Sequence, residues 1–578
     1  MKKINFVITL FFILTSTLLS AQSHNEEITV EGSYTPQIRK SERISMTPDM
    51  PQRDFIIPKY ETNTEDFTYK YKVELEPISP VTYISNDKTS ICNNFIKAGF
   101  GTRLSPDFLF RHHSNISKKT SLGVAIDHNS TWLDMKDYAN SKYMNNAFGL
   151  SMTNRFSHFQ LHSHVDYHYD MYYINDADAD ADSDADADAD SDSDSDADAD
   201  TLVNIGDINA RKIHSLNAYL VANNNKSSYK SLYDEFSLIY NYSGIQGGMQ
   251  ENLVKFKAHL EHSNSWFQYS KGTQTLIADF NAELSNIGQT LLLLAINPHL
   301  DFNGDFYSLR LGLRADVKTN STSVGGIYPD INGSLYLFQK NIEFYAGIGG
   351  KTKINTLKEI LAENPFIVSN PLNYAEFDYE KTLIDFKAGL KFKALNMVNG
   401  HLGIRYRGIE NHIFFINSTT QAGTFDVILN NCYIFNFNAD LHVRINDNIK
   451  AVADFAYNKY DFIKARLTCD FPITIAHAWY KPEIEFTLKG FYQMNEHWKF
   501  NLATYLEGKR YALTGNSYND IKELKPIVDI QLGCDYNLNK NLAFYAEIKN
   551  LIHNKYQMYY NYPSYGIQGF VGFKYRFL

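Results

Sequence analysis

The sequence predicts an all-β chain: a large antiparallel transmembrane β-barrel of about 22 strands, preceded by a short extended N-terminal segment. Three observations lead there. The chain opens on a secretory leader, it lacks any later run long and apolar enough for a membrane helix, and from about Phe95 onward its apolar and polar residues alternate with a period of two.

The leader comes first. Lys2 and Lys3 precede an uncharged apolar run from Phe6 to Leu19 that closes on Ser20 and Ala21, followed by the polar Gln22. This pattern predicts a signal peptide over residues 1–21, and the run is too short for a comfortable transmembrane helix. No cysteine stands at the expected cut, so a lipid-anchored mature end is not expected. A secreted chain with no further apolar run excludes a helical membrane protein. The chain is also unusually rich in aromatics, with 40 Tyr and 39 Phe, and a water-soluble secreted protein stays open until the periodicity is read.

The strand pattern is clearest toward the C-terminus. Val528, Ile530, Leu532, Cys534 and Tyr536 alternate with Asp529, Gln531 and Asp535; Leu542, Phe544, Ala546 and Ile548 alternate with Tyr545 and Glu547. In the last strand Val571, Phe573, Tyr575 and Phe577 oppose Lys574 and Arg576, and earlier Leu309, Leu311, Leu313 and Val317 oppose Arg310, Arg314 and Asp316. A soluble sandwich also alternates, so the connections decide. Short polar turns at Gln339 to Asn341, Asn446 to Asn448, Asn495 to His497 and Asn537 to Asn541 interleave with long connections at Asn355 to Tyr379, Ile463 to Ala476, Tyr511 to Lys525 and His553 to Tyr565. Short turns at one end and long loops at the other are the habit of an outer-membrane barrel, with the short end in the periplasm. The expected barrel occupies residues 92–578. So many strands enclose a lumen that their side chains cannot fill.

The ends of the chain resemble TonB-dependent receptors. Asn550-Leu551-Ile552-His553-Asn554-Lys555-Tyr556, then Tyr562-Pro563, then Gly569 to Phe577 look like the closing two strands of that family, with one extra residue, His553, inside the first segment. Ile28 to Pro36 and Asn94 to Gly101 look like receptor-like barrels common in Bacteroidetes. The resemblance implies localisation in the outer membrane, a transport or pore role, contact with outer-membrane lipid and delivery by the barrel assembly machinery. Tyr575, Phe577 and Leu578 would form the insertion signal, although Leu578 stands where the family ends on an aromatic residue.

The chain departs from the family in the length of its N-terminal part. Residues 22–91 contain Pro36, Pro48, Pro51, Pro58, Pro77 and Pro80 with little apolar periodicity, which predicts an extended periplasmic or lumenal segment and not a complete plug. Within it Ile28, Thr29, Val30 and Glu31 are candidates for an energy-coupling box that adds as a strand to TonB, the alternative being a plain edge strand. A barrel that scaffolds a surface lipoprotein or a secretion complex and conducts nothing is the competing expectation.

Two further features stand out. His158, His162, His164, Asp166, His168 and Asp170 share one side of a predicted strand whose other side is aromatic and aliphatic. They are candidates for a divalent-cation site, against the alternative of a polar lumen wall that uses histidine. The strand leads into Asp-Ala and Asp-Ser repeats, so residues 175–211 are expected to be an acidic low-complexity extracellular loop, either a cation-collecting tether or a tolerated repeat. Thirteen aspartates lie between Asp176 and Asp200; taking them from the formal net charge of -10 leaves the remainder at +3, so the acidity is local. Four scattered cysteines, Cys92, Cys432, Cys469 and Cys534, form neither a disulfide framework nor a zinc pattern. No nucleophile elbow, zinc-protease motif or phosphate loop is present. The chain is therefore expected to be no enzyme, to carry no cofactor and to bind no nucleic acid.

Overall fold

The computed structural model describes residues 93–135, 141–174, 210–224, 232–264, 273–319, 325–370, 377–394, 397–462, 476–515 and 517–577. The chain divides into two compact units, Met1–Ser85 and Asn86–Leu578, and every described residue belongs to the second. The expected signal peptide, the segment 22–91 with Ile28, Thr29, Val30 and Glu31, the acidic repeat and Leu578 lie outside the described residues.

The strands are β1 (Asn94–Gly101), β2 (Ser105–Asn115), β3 (Thr120–Thr131), β4 (Tyr143–Arg155), β5 (Phe159–Tyr173), β6 (Ala210–Asn224), β7 (Leu232–Ile245), β8 (Gln250–Asn264), β9 (Thr273–Ile287), β10 (Gln289–Asn303), β11 (Tyr307–Lys318), β12 (Gly326–Leu337) and β13 (Ile342–Ile354). They continue as β14 (Tyr379–Ala394), β15 (Val398–Asn417), β16 (Phe425–Arg444), β17 (Ile449–Phe462), β18 (Ile484–Gln493), β19 (Trp498–Glu507), β20 (Arg510–Leu513), β21 (Ile521–Leu524), β22 (Ile527–Asn537), β23 (Leu542–Lys549), β24 (Gln557–Tyr559), β25 (Tyr562–Pro563) and β26 (Gln568–Phe577). Two small hairpins, β20 with β21 and β24 with β25, stand in loops; the other 22 strands form one sheet.

Each barrel strand pairs antiparallel with the next, and β26 pairs with β1 from Asn94 opposite Phe577 to Gly101 opposite Phe570. Closure leaves no strand edge unpaired, which is the condition for a sheet to sit in hydrocarbon. The expected fold class and strand number are those observed.

The two faces follow the alternation of the sequence. Leu309, Leu311, Leu313, Val317, Phe344, Leu532, Phe544, Val571, Phe573 and Tyr575 are exposed on the outside, where a bilayer would cover them. On the inside, charges pair along the ladder: Lys97 with Asp107 at 2.6 Å and Arg310 with Asp301 at 2.9 Å on neighbouring strands, and Lys574 of β26 with Asp535 of β22, across β23, at 2.6 Å. Pairing across the ladder lets a strand keep its charges in the lumen while its other face stays apolar.

The turns expected at residues 339–341, 446–448, 495–497 and 537–541 all fall at one end of the barrel. The other end carries the long connections, with exceptions that the sequence pattern did not reveal. At that end β1 and β2, β7 and β8, and β9 and β10 are joined by residues 102–104, 246–249 and Gly288 alone. Gly247 and Gly288 take φ of +74° and +66°, the left-handed region that glycine adopts without strain. Two of these low stretches meet one long connection, through the Met249 N–H on the Ser369 carbonyl at 2.9 Å and the Gln289 amide on the Phe377 carbonyl at 3.0 Å.

Candidate functional site

That connection joins β13 to β14. It contains a short helix, α1 (Leu357–Glu363), whose apolar residues Leu357, Ile360 and Leu361 recur at helical spacing. The Thr356 hydroxyl caps it by accepting from the Glu359 N–H at 3.3 Å, and the Asn364 N–H closes it on the Ile360 carbonyl at 2.8 Å. All three apolar side chains are buried.

Their burial is supplied by distant parts of the wall. Leu357, Ile360 and Leu361 belong to one apolar cluster with Ile213 of β6, Ile245 of β7, Ile287 of β9, Phe414 of β15 and Phe425 of β16, and with Trp479 and Tyr559 from the other long connections. Trp479, Phe414 and Phe425 are fully buried. The cluster members on strands lie toward the long-loop end. The long connections are therefore a second folded layer with its own core, a plate across the mouth.

Polar contacts place the plate. On one side Arg211 of β6 donates to the Pro365 carbonyl at 2.9 Å, to the Ser369 hydroxyl at 2.9 Å and to the Ile367 carbonyl. Glu251 of β8 accepts from the Leu357 N–H at 2.8 Å and from the Ser285 hydroxyl at 2.7 Å, and the Lys358 ammonium donates to Asn217 of β6. On the other side Ile367 forms a bridge with Phe425 at the start of β16, and the Phe366 ring stacks on Tyr562 at 3.8 Å between centroids. Tyr559 donates to the Glu363 carbonyl. One connection rooted between β13 and β14 thus touches β6, β8, β16 and the loop after β23, which are spread around the wall.

Close approach explains Gly248. A Cβ there would lie 2.7 Å from the Ser369 carbonyl oxygen, a backbone atom that cannot move alone, and the neighbouring Met249 N–H donates to that same oxygen at 2.9 Å. Gly248→Val is expected to lift residues 364–370 off the β7–β8 turn while leaving the barrel sheet intact. Faster protease cleavage in that segment, with unchanged β circular dichroism, checks it.

A second buried arginine repeats the device. Arg510 at the base of the β20–β21 hairpin is 2 % exposed and donates to the Met558 and Gln557 carbonyls at 2.7 and 2.8 Å, with Glu507 at 3.9 Å. Its burial lowers its proton affinity below the usual arginine value, and burial pushes the phenol of the neighbouring Tyr480 well above its ordinary one. Both hold one protonation state across physiological pH. His477 behaves differently: it stacks on Tyr511 at 4.0 Å, and burial draws its pKa below the ordinary 6.5, with Glu483 opposing. The folded plate therefore favours the neutral ring. Its stability is complete above pH 6.5 and falls as pH drops through 6.5 toward the lowered folded value. Lower amide protection factors in residues 476–483 at pH 5.5 than at pH 7.5, a difference abolished by His477→Phe, are the expected result.

The histidine row lies on the lumen face of β5, with one member outside it. His158 sits in the exposed turn before the strand, bonded to Ser157 at 2.8 Å. His164 and His168 share Asp166, at 2.9 and 3.1 Å, and Asn217 donates to the same carboxylate at 2.5 Å. His162 pairs with the Thr153 hydroxyl at 2.8 Å. Asp170 stands higher on the same face, opposite Asn145 and Ile213. Among the described residues no group of three or more histidine, cysteine or acidic side chains is arranged to hold a metal ion. Of the expected insertion signal, Tyr575 and Phe577 lie on the outward face with rings 5.3 Å apart. Arg211 and Glu251 were not singled out from the sequence. The helical spacing of Leu357, Ile360 and Leu361 inside a supposed loop was the legible trace of the plate.

The described residues thus form a closed 22-strand barrel with an apolar exterior, a charged interior and a packed layer of connections at one end. The chain matches no protein-family model and no curated protein sequence. Its fold is similar to solved structures of the ferric-catecholate import receptor Fiu from E. coli K12 (TM-score 0.59, 10 % identity, 84 % of this chain and 82 % of that one) and the siderophore receptor PiuA from Acinetobacter baumannii (0.57, 12 %, 84 % and 82 %). The copper transporter OprC is similar to a like extent (0.56, 11 %, 84 % and 80 %). At such identities the likeness establishes the fold.

Proposed function

We propose that this chain is an outer-membrane barrel that passes a solute, with the loop plate as the closure on its long-loop side. The observation that carries the reading is the crossing of the mouth by residues 355–370, held to opposite arcs of the wall. A wall of 22 strands leaves a lumen open unless something covers it, and a cover built from loops has its own modest stability and can open locally. The proteins similar in fold are named for import of ferric catecholates, siderophore reception and copper transport, which agrees with a transport role. The barrel assembly machinery, outer-membrane lipid and TonB are the partners this reading assigns, and no catalysis is part of it.

In a planar bilayer the full chain is expected to be almost silent. A variant with residues 355–378 replaced by a short glycine-serine linker is expected to conduct steadily. Silence in both forms overturns the reading in favour of a non-conducting scaffold for a surface lipoprotein or secretion complex. Coupling through Ile28, Thr29, Val30 and Glu31 belongs to the same proposal, and Val30→Pro is expected to abolish energised uptake while leaving the linker variant's conductance unchanged.

A further inference from the structure

The wall closes where β26 meets β1, and two features of the sequence work against that seam. Elsewhere each barrel strand pairs with the next one along the chain. At the seam the Asn94 side-chain amide meets the Phe577 carbonyl at 3.4 Å across a separation of 483 residues, so loop-closure entropy opposes this pairing more than any other. The ladder there also sets Lys97 directly opposite Lys574, and like charges so placed weaken a sheet.

One side chain answers both. Tyr545 of β23, Gly572 of β26, Gly99 of β1 and Asp107 of β2 are successive partners in a single register row that crosses the seam. The two glycines leave a gap in the row, and the Tyr545 side chain lies sideways in it. A Cβ on Gly572 would stand 2.7 Å from the ring's Cε1, and one on Gly99 would collide with the hydroxyl. The hydroxyl donates to the Asp107 carboxylate at 3.5 Å. The Lys97 and Lys574 ammonium groups lie 4.8 and 5.2 Å from the centroid of the same ring. Each lysine also reaches an acid at 2.6 Å, Asp107 for the first and Asp535 of β22 for the second. The ring is buried, and cations over an aromatic face are held more firmly once water is excluded. The opposed lysines thus share one ring, each with a carboxylate of its own.

A second row of the same kind lies away from the seam. Tyr345 of β13, Gly389 of β14 and Gly403 of β15 are successive partners, with the Tyr345 hydroxyl on His401 at 2.7 Å and the Lys391 ammonium 5.1 Å from the ring centroid. Those three strands are consecutive along the chain, and their pairing does not depend on closure of the barrel.

We infer that Tyr545 is a clasp that sets when β26 meets β1 and locks the closed wall. Its contacts with Gly99, Lys97 and Asp107 cross the seam, so they are absent from an open sheet and their effect falls on the closed form alone. The inference goes beyond the transport reading and holds whether or not the barrel conducts.

The test uses the full chain folded in detergent micelles and then challenged with SDS at a fixed temperature. Compact migration in cold electrophoresis reports the closed wall, and β circular dichroism reports the strands. Tyr545→Leu is expected to lose compact migration about tenfold faster than the parent, before the β signal falls. Tyr345→Leu, whose ring lies between strands that stay paired in an open sheet, is expected to open at the parental rate. Cysteines at two positions directly opposite across the seam, A98C/F573C, are added to the Tyr545→Leu chain with Cys92, Cys432, Cys469 and Cys534 changed to alanine. Their oxidation is expected to restore slow opening. Parental opening by Tyr545→Leu, or an equal acceleration by Tyr345→Leu, overturns the clasp. If Tyr545→Leu gives no compact form at all, the oxidised chain decides: recovery of that form supports the clasp, and failure to recover it overturns it.

Discussion

Replacing Arg211 by alanine is expected to open the mouth of the barrel, raising the open probability in a planar bilayer by at least a hundredfold. The guanidinium is 3 % exposed and holds two backbone carbonyls and one hydroxyl of residues 365–369 against β6. Hydrogen bonds to a charged donor contribute about 1.5–3 kcal/mol each, and acceptors left buried without partners add a desolvation cost. Even if water reaches some of them, a loss of about 3 kcal/mol remains, and every 1.4 kcal/mol is tenfold in an equilibrium. The barrel sheet keeps its ladder, so the effect is confined to the plate. Arg111→Ala is the control: its partner Asp127 is on β3, both side chains are about 40 % exposed, and exposed pairs contribute little. An Arg211→Ala channel as quiet as the parent would show that the arginine does not latch the plate.

The barrel was legible in the sequence because its rule is local. A strand between lipid and water must alternate, and Leu309 to Val317 or Val571 to Phe577 declare it residue by residue. The ladder then fixes closure, since a strand such as β26 with an apolar outer face needs a partner on both edges. The plate was not legible, because its rule is not local. Residues 355–379 read only as a long connection, and nothing near Leu357, Ile360 and Leu361 in sequence says that Ile213 and Phe425 will cover them. The short turns at residues 246–249 and Gly288 belong to the same blind spot. They break the expected division into short and long ends because the plate needs a low rim to rest on, which appears only when the barrel has closed.

The histidine row shows the intermediate case. Alternation put His162, His164, Asp166 and His168 on one face, and the fold has them there. Their partners come from the neighbouring strands: Thr153 from β4 and Asn217 from β6. Asn217 also receives Lys358 of α1, so the row is joined to the plate through one amide. Lys353 of β13 makes the corresponding tie to Glu359 of α1 at 3.5 Å. Both polar features of the lumen thus connect to the same seven-residue helix, α1.

Phe425→Ala carries the second large expectation. The ring is fully buried, with Tyr559, Tyr480 and Tyr562 around it at centroid distances of 5.2, 5.5 and 5.9 Å. Removing a buried phenyl ring costs about 3–5 kcal/mol, part from lost burial and part from the cavity. The Phe425 backbone still bonds to Phe366 and Val368, at 3.1 and 2.9 Å, so the loss is one of packing. Protease cleavage between Pro365 and Ser369 should accelerate at least a hundredfold, as for Arg211→Ala, although the two residues hold the segment from opposite sides. This equivalence separates a cooperative plate from independent loops. In one cooperative unit either change releases the whole segment, so the double variant should be little faster than the single ones, and the cycle should show a coupling of about 1–3 kcal/mol. If the two rate increases simply multiply, the segment is held at two independent points and does not move as one closure.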